Sequence, residues 1–331
     1  MNSNFTGIVL ALAGGVLVGN CMLPLKKIRI WPWECTWLVF SFVSLLVVPA
    51  LIASLTIPGW PHVYTSLQFT GLLPSLLLGF GWGIAQVLFG ISVVRLGMAL
   101  AFTIVVGLGT VFGTLVPLVV LHKSELASGN SQMLIAGCGL MIVGVALSGY
   151  AGKLREHPQQ DMENAYLSGL GIAVLSGVLS SMLNLSLAFG MPIAQAAIDR
   201  GAASSTAVFA VWPIALAGGL IPNLGYTTYL LYKNGSWRRL MDSGRDASLS
   251  LLMGMLWIGA VAIYGLSTRY LGRLGDSAGW AIYQITMVLT ANVAGILDGE
   301  WRLASRRSVT ILAMGVFILI VATITTAVST R

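Results

Sequence analysis

The sequence predicts an all-α polytopic membrane protein whose ten transmembrane helices form two similar halves. The composition, the long apolar runs and a repeated motif are the three observations behind this prediction. Of the 331 residues, 56% are hydrophobic and 9% are charged, whereas a soluble domain carries about 25% charged residues. So few charges cannot cover a water-facing surface, and we therefore expect the chain to be surrounded by lipid.

Ten apolar stretches are each long enough to cross a bilayer as a helix, which takes about 20 residues. They are continuous rather than alternating, which excludes the strands of a membrane β-barrel. Short polar or Pro- and Gly-containing breaks separate them. We number the predicted spans 1 to 10, and they cover residues 4–24, 33–57, 67–94, 97–121, 132–151, 165–191, 203–232, 247–268, 276–297 and 308–329.

The motif WGIAQVLFGISVVRLG at 82–97, in span 3 and its exit, recurs as WIGAVAIYGLSTRYLG at 257–272, in span 8 and its exit. The offset is constant, 257 − 82 = 175. An aromatic pair, Phe89 and Tyr264, aligns beside five identities. The identical pairs are Trp82 and Trp257, Gly90 and Gly265, Ser92 and Ser267, Leu96 and Leu271, and Gly97 and Gly272.

The polar segment 152–164 divides the chain into two halves of five spans. We therefore predict a first repeat at 1–151, a linker at 152–164 and a second repeat at 165–331. Because five is odd, equivalent spans run in opposite directions, which gives the inverted repeat of many secondary transporters. In such proteins the binding site lies between the repeats, near mid-membrane.

Lysine and arginine are concentrated in the odd-numbered loops, which lie between spans 1 and 2, 3 and 4, and so on. Because cytoplasmic loops are enriched in these residues, we expect an inner-membrane protein with both termini in the periplasm. The odd loops hold Lys26, Lys27, Arg29, Arg95, Lys153, Arg155, Lys233, Arg238, Arg239, Arg245, Arg302, Arg306 and Arg307. The even loops and the termini hold Lys123, Arg200, Arg269, Arg273 and Arg331.

The sequence carries no catalytic constellation, so we expect neither an enzyme nor a bound metal or cofactor. The histidines His62, His122 and His157 all fall in loops, and the three cysteines have no metal-ligand spacing. The net charge of +7 follows the topology rather than one face, so we expect no nucleic-acid partner.

Uncharged polar side chains inside spans are the candidates for a binding site, because lipid makes them costly unless they face the bundle interior. Amides can donate to and accept from hydroxyls, and an aromatic ring can cover the apolar C–H face of a sugar. These side chains therefore fit a neutral polyhydroxylated solute, although each could instead form an interhelical hydrogen bond. The predicted substrate-binding residues are Trp82, Gln86, Asn184, Asn223, Trp257, Tyr283 and Gln284.

None of the eleven acidic residues lies at mid-span, and the two best placed to enter a cavity are Asp276 and Glu34. A coupled proton needs a group whose proton affinity changes between two transport states. We favour Asp276, at the external start of span 9, as the proton site. Glu34, at the cytoplasmic start of span 2, is the predicted gate or anchor, because an ion pair with Lys26, Lys27 or Arg29 is close by in sequence. For both acids the alternative is a solvated helix-start charge.

Several segments resemble the L-rhamnose–proton symporter family, a branch of the drug/metabolite transporter superfamily. The resemblance covers nearly the whole length, and the segment with Lys26, Lys27 and Glu34 is its most specific part. It implies ten helices in an inverted repeat and uptake of a sugar with protons. The matching segments are PLKKIRIWPWECTW at 24–37, Trp82-Gly83, Phe89-Gly90, RLGM at 95–98, NLG at 223–225, DSAGW at 276–280, Glu300-Trp301 and Arg306-Arg307.

Two positions depart from that family's pattern. Tyr283 stands where the family has a histidine in the ninth span, which removes a titratable group. Gln86 replaces an asparagine one turn after Trp82, which alters the reach of the side chain within a cavity.

We expect a proton-coupled importer of L-rhamnose or a related monosaccharide that works by alternating access, with the two halves rocking around a central site. A permease or exporter of another small metabolite or drug, and a membrane receptor or assembly protein, are the alternatives.

Overall fold

The fold is seen in a computed structural model, which describes residues 3–96, 98–155, 163–272, 275–297, 299, 301–302 and 304–329. This part of the chain is helical and contains no strand. Ten helices in it are long and apolar enough to cross a membrane, which confirms the predicted number. Gly97, Arg273, Glu300 and Arg331, which the sequence analysis used, lie outside the described residues, as do 156–162 of the predicted linker, which include His157.

The observed helices agree with the predicted spans to within a few residues, except at the ends of spans 5 to 7. Span 5 continues to Arg155, and span 6 breaks into two pieces at Ser181. The helix of span 7 begins at Trp212 rather than at 203, after the separate short helix Ala207–Ala210. The bounds are Ser3–Asn20, Trp33–Phe42 with Val43–Val47 and Val48–Thr56, Phe69–Leu96, Met98–Leu121, Gly129–Arg155, Glu163–Ser180 with Met182–Ala188, Trp212–Lys233, Gly244–Tyr270, Gly275–Leu297 and Arg306–Val328. Shorter helices are Leu23–Lys27, Trp60–Thr65, Lys123–Glu125, Met191–Asp199, Ala207–Ala210 and Ser236–Met241.

The breaks in spans 2 and 6 have local causes. In span 2 the turn Val43–Val47 widens to π-helix immediately before Pro49, whose ring nitrogen cannot donate to the carbonyl four residues earlier. In span 6 the Ser181 hydroxyl donates to the Val178 carbonyl at 2.7 Å, and such serine back-bonding bends helices. The second piece of span 6 carries Asn184, so the bend helps to set the direction of that side chain.

Eight of the ten spans pack side by side in a closed cycle. Span 2 packs on 7, 7 on 3, 3 on 6, 6 on 4, 4 on 9, 9 on 1, 1 on 8, and 8 on 2. Spans 5 and 10 pack on each other outside the cycle, against spans 4 and 9. Every neighbouring pair in the cycle therefore joins a span from one half of the sequence to a span from the other.

Glycines allow the closest of these helix contacts. A Cβ added at Gly83 of span 3 would lie 2.8 Å from Gly219 Cα of span 7. A Cβ at Gly15 of span 1 would lie 2.7 Å from the Tyr283 carbonyl oxygen of span 9, and one at Gly19 would lie 2.8 Å from the next carbonyl on that face. The GxxxG of span 1 thus faces another helix of the same chain.

Candidate functional site

The two tryptophans of the repeated motif meet in the interior of the helix cycle. Trp82 on span 3 and Trp257 on span 8 stack with ring centroids 5.3 Å apart and an interplanar angle of 23°. Their spans are not neighbours in the cycle, so the side chains reach across its interior. Gly219 of span 7 leaves room for this arrangement, because a Cβ there would lie 2.8 Å from Cε3 of Trp82.

Further aromatic rings surround this stack. Phe40 of span 2 meets Trp257 edge-on at 6.2 Å and contacts Trp37 at 4.8 Å. A second group lies towards the even-loop end of the bundle, the end that carries the even-numbered loops. There Tyr264 contacts Tyr283 at 5.0 Å, and Trp280 stacks on Tyr283 at 5.8 Å with an angle of 25°. We call the part of the bundle interior that lies between these two groups the lumen.

Five of the seven predicted substrate-binding residues have side-chain polar atoms that form no hydrogen bond with any residue in the described part of the chain. The side chains of Gln86, Gln284 and Tyr283 make no hydrogen bond within the described part of the chain, and neither do the indole N–H groups of Trp82 and Trp257. Gln284 is only 7% exposed. Its amide atoms are not among the fully enclosed unbonded atoms of the described residues, so they remain available to bond a ligand or water in the interior of the bundle.

Asn184 differs, because its hydrogen-bonding groups are occupied within the protein. Its side-chain N–H groups donate to the carbonyl oxygens of Gly113 at 2.7 Å and Asp276 at 2.9 Å. Its Oδ1 accepts from the Tyr264 hydroxyl. One fully buried amide thus joins spans 4, 6, 8 and 9, which favours the interhelical role that the sequence left open.

Asn223 is occupied in the same way at the packing of spans 2, 3 and 7. Its Oδ1 accepts from Trp37 Nε1 at 2.9 Å, and its Nδ2 donates to the Gly219 carbonyl at 2.8 Å. Trp37 also stacks on Trp33 at 5.2 Å. Asn223 therefore orients an aromatic ring beside the lumen, which again favours the interhelical role over a direct contact with a solute.

Asp276 has a partner that the sequence analysis missed. At the even-loop end, His122 Nε2 lies 3.1 Å from Asp276 Oδ1 and 3.3 Å from Oδ2. The two side chains are 21% and 18% exposed, and they join the end of span 4 to the start of span 9. The topology indicated that His122 and Asp276 lie at the same end of the bundle, since loops 4 and 8 are both even-numbered. Only the structure shows that spans 4 and 9 are neighbours.

Glu34 is held by neutral donors among the described residues. Its Oε1 accepts from Asn234 Nδ2 at 3.0 Å and from Ser236 Oγ at 2.6 Å, so the ion pair suggested by nearby Lys26, Lys27 or Arg29 is replaced by bonds to the loop after span 7. Asn234 and Ser236 lie about 200 residues further on in sequence, so these bonds could not be predicted from the residues near Glu34.

A second carboxylate at this odd-loop end was not singled out from the sequence. Asp246, at the start of span 8, accepts at Oδ2 from the backbone N–H groups of Arg29, Ile30 and Trp31 at 3.4, 2.8 and 3.0 Å. It is 1% exposed. Together with Glu34 it fastens the connection between spans 1 and 2 onto the connection between spans 7 and 8.

At the opposite end the corresponding connections are held mainly by apolar packing. The Tyr64 hydroxyl, in the helix Trp60–Thr65, donates to the Ala210 carbonyl at 2.9 Å. Burial raises the pKa of the Tyr64 hydroxyl above its usual value, so this group stays neutral and remains a donor. At this end a neutral hydrogen bond therefore joins the segment before span 3 to the segment before span 7.

Comparison with known proteins gives a consistent result along nearly the whole chain. A family model described as L-rhamnose-proton symport protein matches residues 1–329. The L-rhamnose-proton symporter of Cronobacter sakazakii is 29% identical over 332 residues, which cover 97% of this chain and 96% of that protein. The L-rhamnose-proton symporters of Yersinia pestis and Yersinia pseudotuberculosis are each 27% identical over 332 residues, with the same coverage.

Proposed function

This chain belongs to the L-rhamnose-proton symport protein family, and we propose that it imports L-rhamnose or a related monosaccharide together with protons. Full-length similarity to three symporters of that name supports the substrate class and the coupling ion. Ten apolar helices support a multi-pass membrane protein. The bias of Lys and Arg towards odd loops supports an inner-membrane location with the odd-loop end cytoplasmic and both termini periplasmic.

The architecture that we propose is the 5+5 inverted repeat of the drug/metabolite transporter fold, with repeats at 1–151 and 165–331 and a linker at 152–164. The packing pattern supports it, because exchanging each span n with span n + 5 maps the cycle onto itself. Span 3 on 7 becomes 8 on 2, span 3 on 6 becomes 8 on 1, and span 4 on 6 becomes 9 on 1. Spans 2 and 7, 4 and 9, and 5 and 10 pack on their own equivalents. An axis in the membrane plane has this effect.

The observation that carries the proposed site is the stack of the duplicated tryptophans inside the cycle. Residues equivalent in two repeats meet only near the axis that relates them, and a central site in such a transporter lies on that axis. Trp82 and Trp257 offer flat faces for the C–H side of a pyranose. Gln86 and Gln284 offer unoccupied amides for its hydroxyls, and Tyr283 offers a hydroxyl of its own.

Asp276 is the proposed proton site and Glu34 the proposed anchor. Asp276 joins spans 4 and 9, which are equivalent in the proposed repeat, and its carboxylate is bonded to the imidazole of His122, a type of side chain that can carry a proton. Glu34 is bonded only to neutral groups within the described residues. These contacts therefore favour a structural role, in which Glu34 joins the start of span 2 to the loop after span 7 on the cytoplasmic side.

The test is uptake of a panel of labelled monosaccharides into proteoliposomes, with and without an inward-directed pH gradient. We expect saturable uptake of L-rhamnose or a close stereochemical relative, and accumulation above equilibrium only when the gradient is present. Uptake that no sugar of the panel shows, or accumulation of a cationic metabolite in preference to every sugar, would overturn the proposal.

A further inference from the structure

The pair His122–Asp276 breaks the symmetry of the proposed repeat. Asp276 is the second residue of span 9, and the corresponding start of span 4, residues 98–102, reads MALAF and has no ionisable side chain. The offset of 175 carries Tyr264 back to Phe89, which lacks the hydroxyl that bonds Asn184. The acid and its connection to Tyr264 therefore have no counterpart in the first half.

This pair borders both the external surface and the lumen. Asp276, Trp280 and Tyr283 are spaced i, i+4 and i+7, so they share one face of span 9, and the two aromatic residues line the lumen. The side chains of Asp276 and His122 are also about one-fifth exposed. The pair is thus partly accessible at this end of the bundle, and the helix face that carries Asp276 continues inwards to Trp280 and Tyr283.

The pair is also tied to the aromatic residues of the lumen through Asn184. The amide that accepts from Tyr264 donates to the Asp276 backbone carbonyl at 2.9 Å. Tyr264 in turn contacts Tyr283 at 5.0 Å. A shift of the start of span 9 relative to span 4 must therefore move or break bonds that orient the lumen aromatics.

We propose that His122 is the second group of the proton site, and that the transported proton is shared between His122 and Asp276. This inference rests on the proposed function. With the pair empty, His122 is neutral and its Nε2–H donates to the Asp276 carboxylate. One proton from the external solution adds at Nδ1, and the pair becomes an imidazolium and a carboxylate.

The added charge strengthens the contact, because the imidazolium and the carboxylate then attract each other as opposite charges. Proton binding therefore draws the end of span 4 onto the start of span 9 and closes the external end with the sugar inside. When the cytoplasmic end opens, the same proton leaves Nδ1 for lumen water.

The other ionisable groups near this end do not replace His122. Lys123 is exposed on the turn after span 4, and Glu125 follows it on the same turn. On span 8, Tyr264 is engaged with Asn184, and Arg269 is partly buried with no acceptor for Nη2 among the described residues. Tyr283 lies deeper on span 9, and span 6 presents the neutral Asn184. Within the described residues, His122 is the only cation-forming side chain bonded to Asp276.

The experiment compares His122→Gln with the wild-type protein in proteoliposomes across external pH 5 to 8. Glutamine keeps an N–H donor at similar reach but cannot titrate, so it separates holding Asp276 from sharing a proton. His62→Gln is the matched control, since His62 is an exposed histidine of the same end, in the helix Trp60–Thr65.

In the wild-type protein and in His62→Gln, uptake should rise as the external pH falls across this range, because protonation of the pair then favours closure of the external end. In His122→Gln, sugar counterflow should persist, the pH profile should flatten, and gradient-driven accumulation should fall by roughly tenfold, a size typical of coupling between two sites. A wild-type pH profile in His122→Gln would overturn the inference, since a side chain that cannot bind a proton would then be sufficient for coupling.

A measurement on the wild-type protein keeps the inference testable if the variant does not fold. The His122 imidazole can be followed by NMR, with His62 as internal reference, and bound sugar should shift its titration midpoint while leaving that of His62 unchanged. An unchanged midpoint at His122 would contradict the proposal. Loss of wild-type counterflow itself would instead count against the proposed function.

Discussion

Replacing Asp246 by alanine should destabilise the protein through the connection between spans 1 and 2. One carboxylate oxygen accepts three backbone N–H groups, of Arg29, Ile30 and Trp31. Arg29 and Ile30 are exposed and can bond water instead, but the bond from Trp31 is buried. An orphaned buried donor costs about 1–3 kcal/mol and a hydrogen bond to a charged group contributes about 1.5–3 kcal/mol, so we expect a loss of about 2–4 kcal/mol.

The assay is thermal unfolding of the purified protein in detergent. A loss of that size should lower the melting temperature of a chain this long by roughly 5 °C. The melting temperature of Asp246→Asn should lie between those of the wild-type protein and Asp246→Ala, because its amide oxygen can still accept the hydrogen bonds but carries no charge. Asp242→Ala is the matched control from the same loop, since Asp242 has a 43% exposed side chain and pairs with Arg239 at 3.5 Å. Exposed pairs contribute about 0–1 kcal/mol. Equal melting temperatures for the two alanine variants would refute the reasoning.

Three further predictions concern transport and the interior. Gln86→Ala and Gln284→Ala should each weaken sugar binding about tenfold in an equilibrium binding assay, which is the effect of one lost hydrogen bond. Asn292→Ala is the control and should bind sugar unchanged, because the Asn292 amide bonds its own helix. Unchanged affinity in both Gln variants would assign these amides to helix packing. Asp276→Asn should retain sugar counterflow but lose pH-driven accumulation, and a variant that still concentrates sugar on a proton gradient alone would exclude Asp276 as the coupling residue. Asn184→Ala should lower the free energy of unfolding by about 2–4 kcal/mol and so lower the melting temperature, because it leaves buried partners on three spans without their hydrogen bonds. An unaltered melting temperature would contradict the interhelical role of Asn184.

The number of spans and their limits could be predicted from the sequence because lipid requires about 20 apolar residues in each. The duplicated Trp82 and Trp257 could also be found, since a constant offset is visible without any structure. Their direct contact was not predictable, because the sequence does not state which spans are neighbours. For the same reason, the close packing of the span 1 glycines on span 9 was not predictable.

The candidate site was less predictable than the fold for a physical reason. An amide that bonds a sugar and one that bonds a backbone carbonyl have the same sequence signature, and only geometry separates Gln284, which is unbonded, from Asn184, which is saturated. His122 was overlooked because it follows span 4 in a loop, and its pairing with Asp276 joins positions 154 residues apart.

The order of the cycle also changes the expected motion. The sequence suggested that the two halves rock as separate bodies, but all eight neighbour contacts in the cycle join spans from different halves. Rocking of intact halves would disturb every one of these packed interfaces. We therefore expect the moving units of the transport cycle to combine spans from both halves, with the His122–Asp276 contact among those that change.

The central claim is that the duplicated tryptophans mark the sugar site at the centre of the cycle. The most direct measurement is a structure of the protein with bound L-rhamnose. It should show the pyranose ring against Trp82 or Trp257, with its hydroxyls within hydrogen-bonding distance of Gln86 or Gln284. A sugar bound outside the cycle, or one whose contacts include neither tryptophan, would contradict the account.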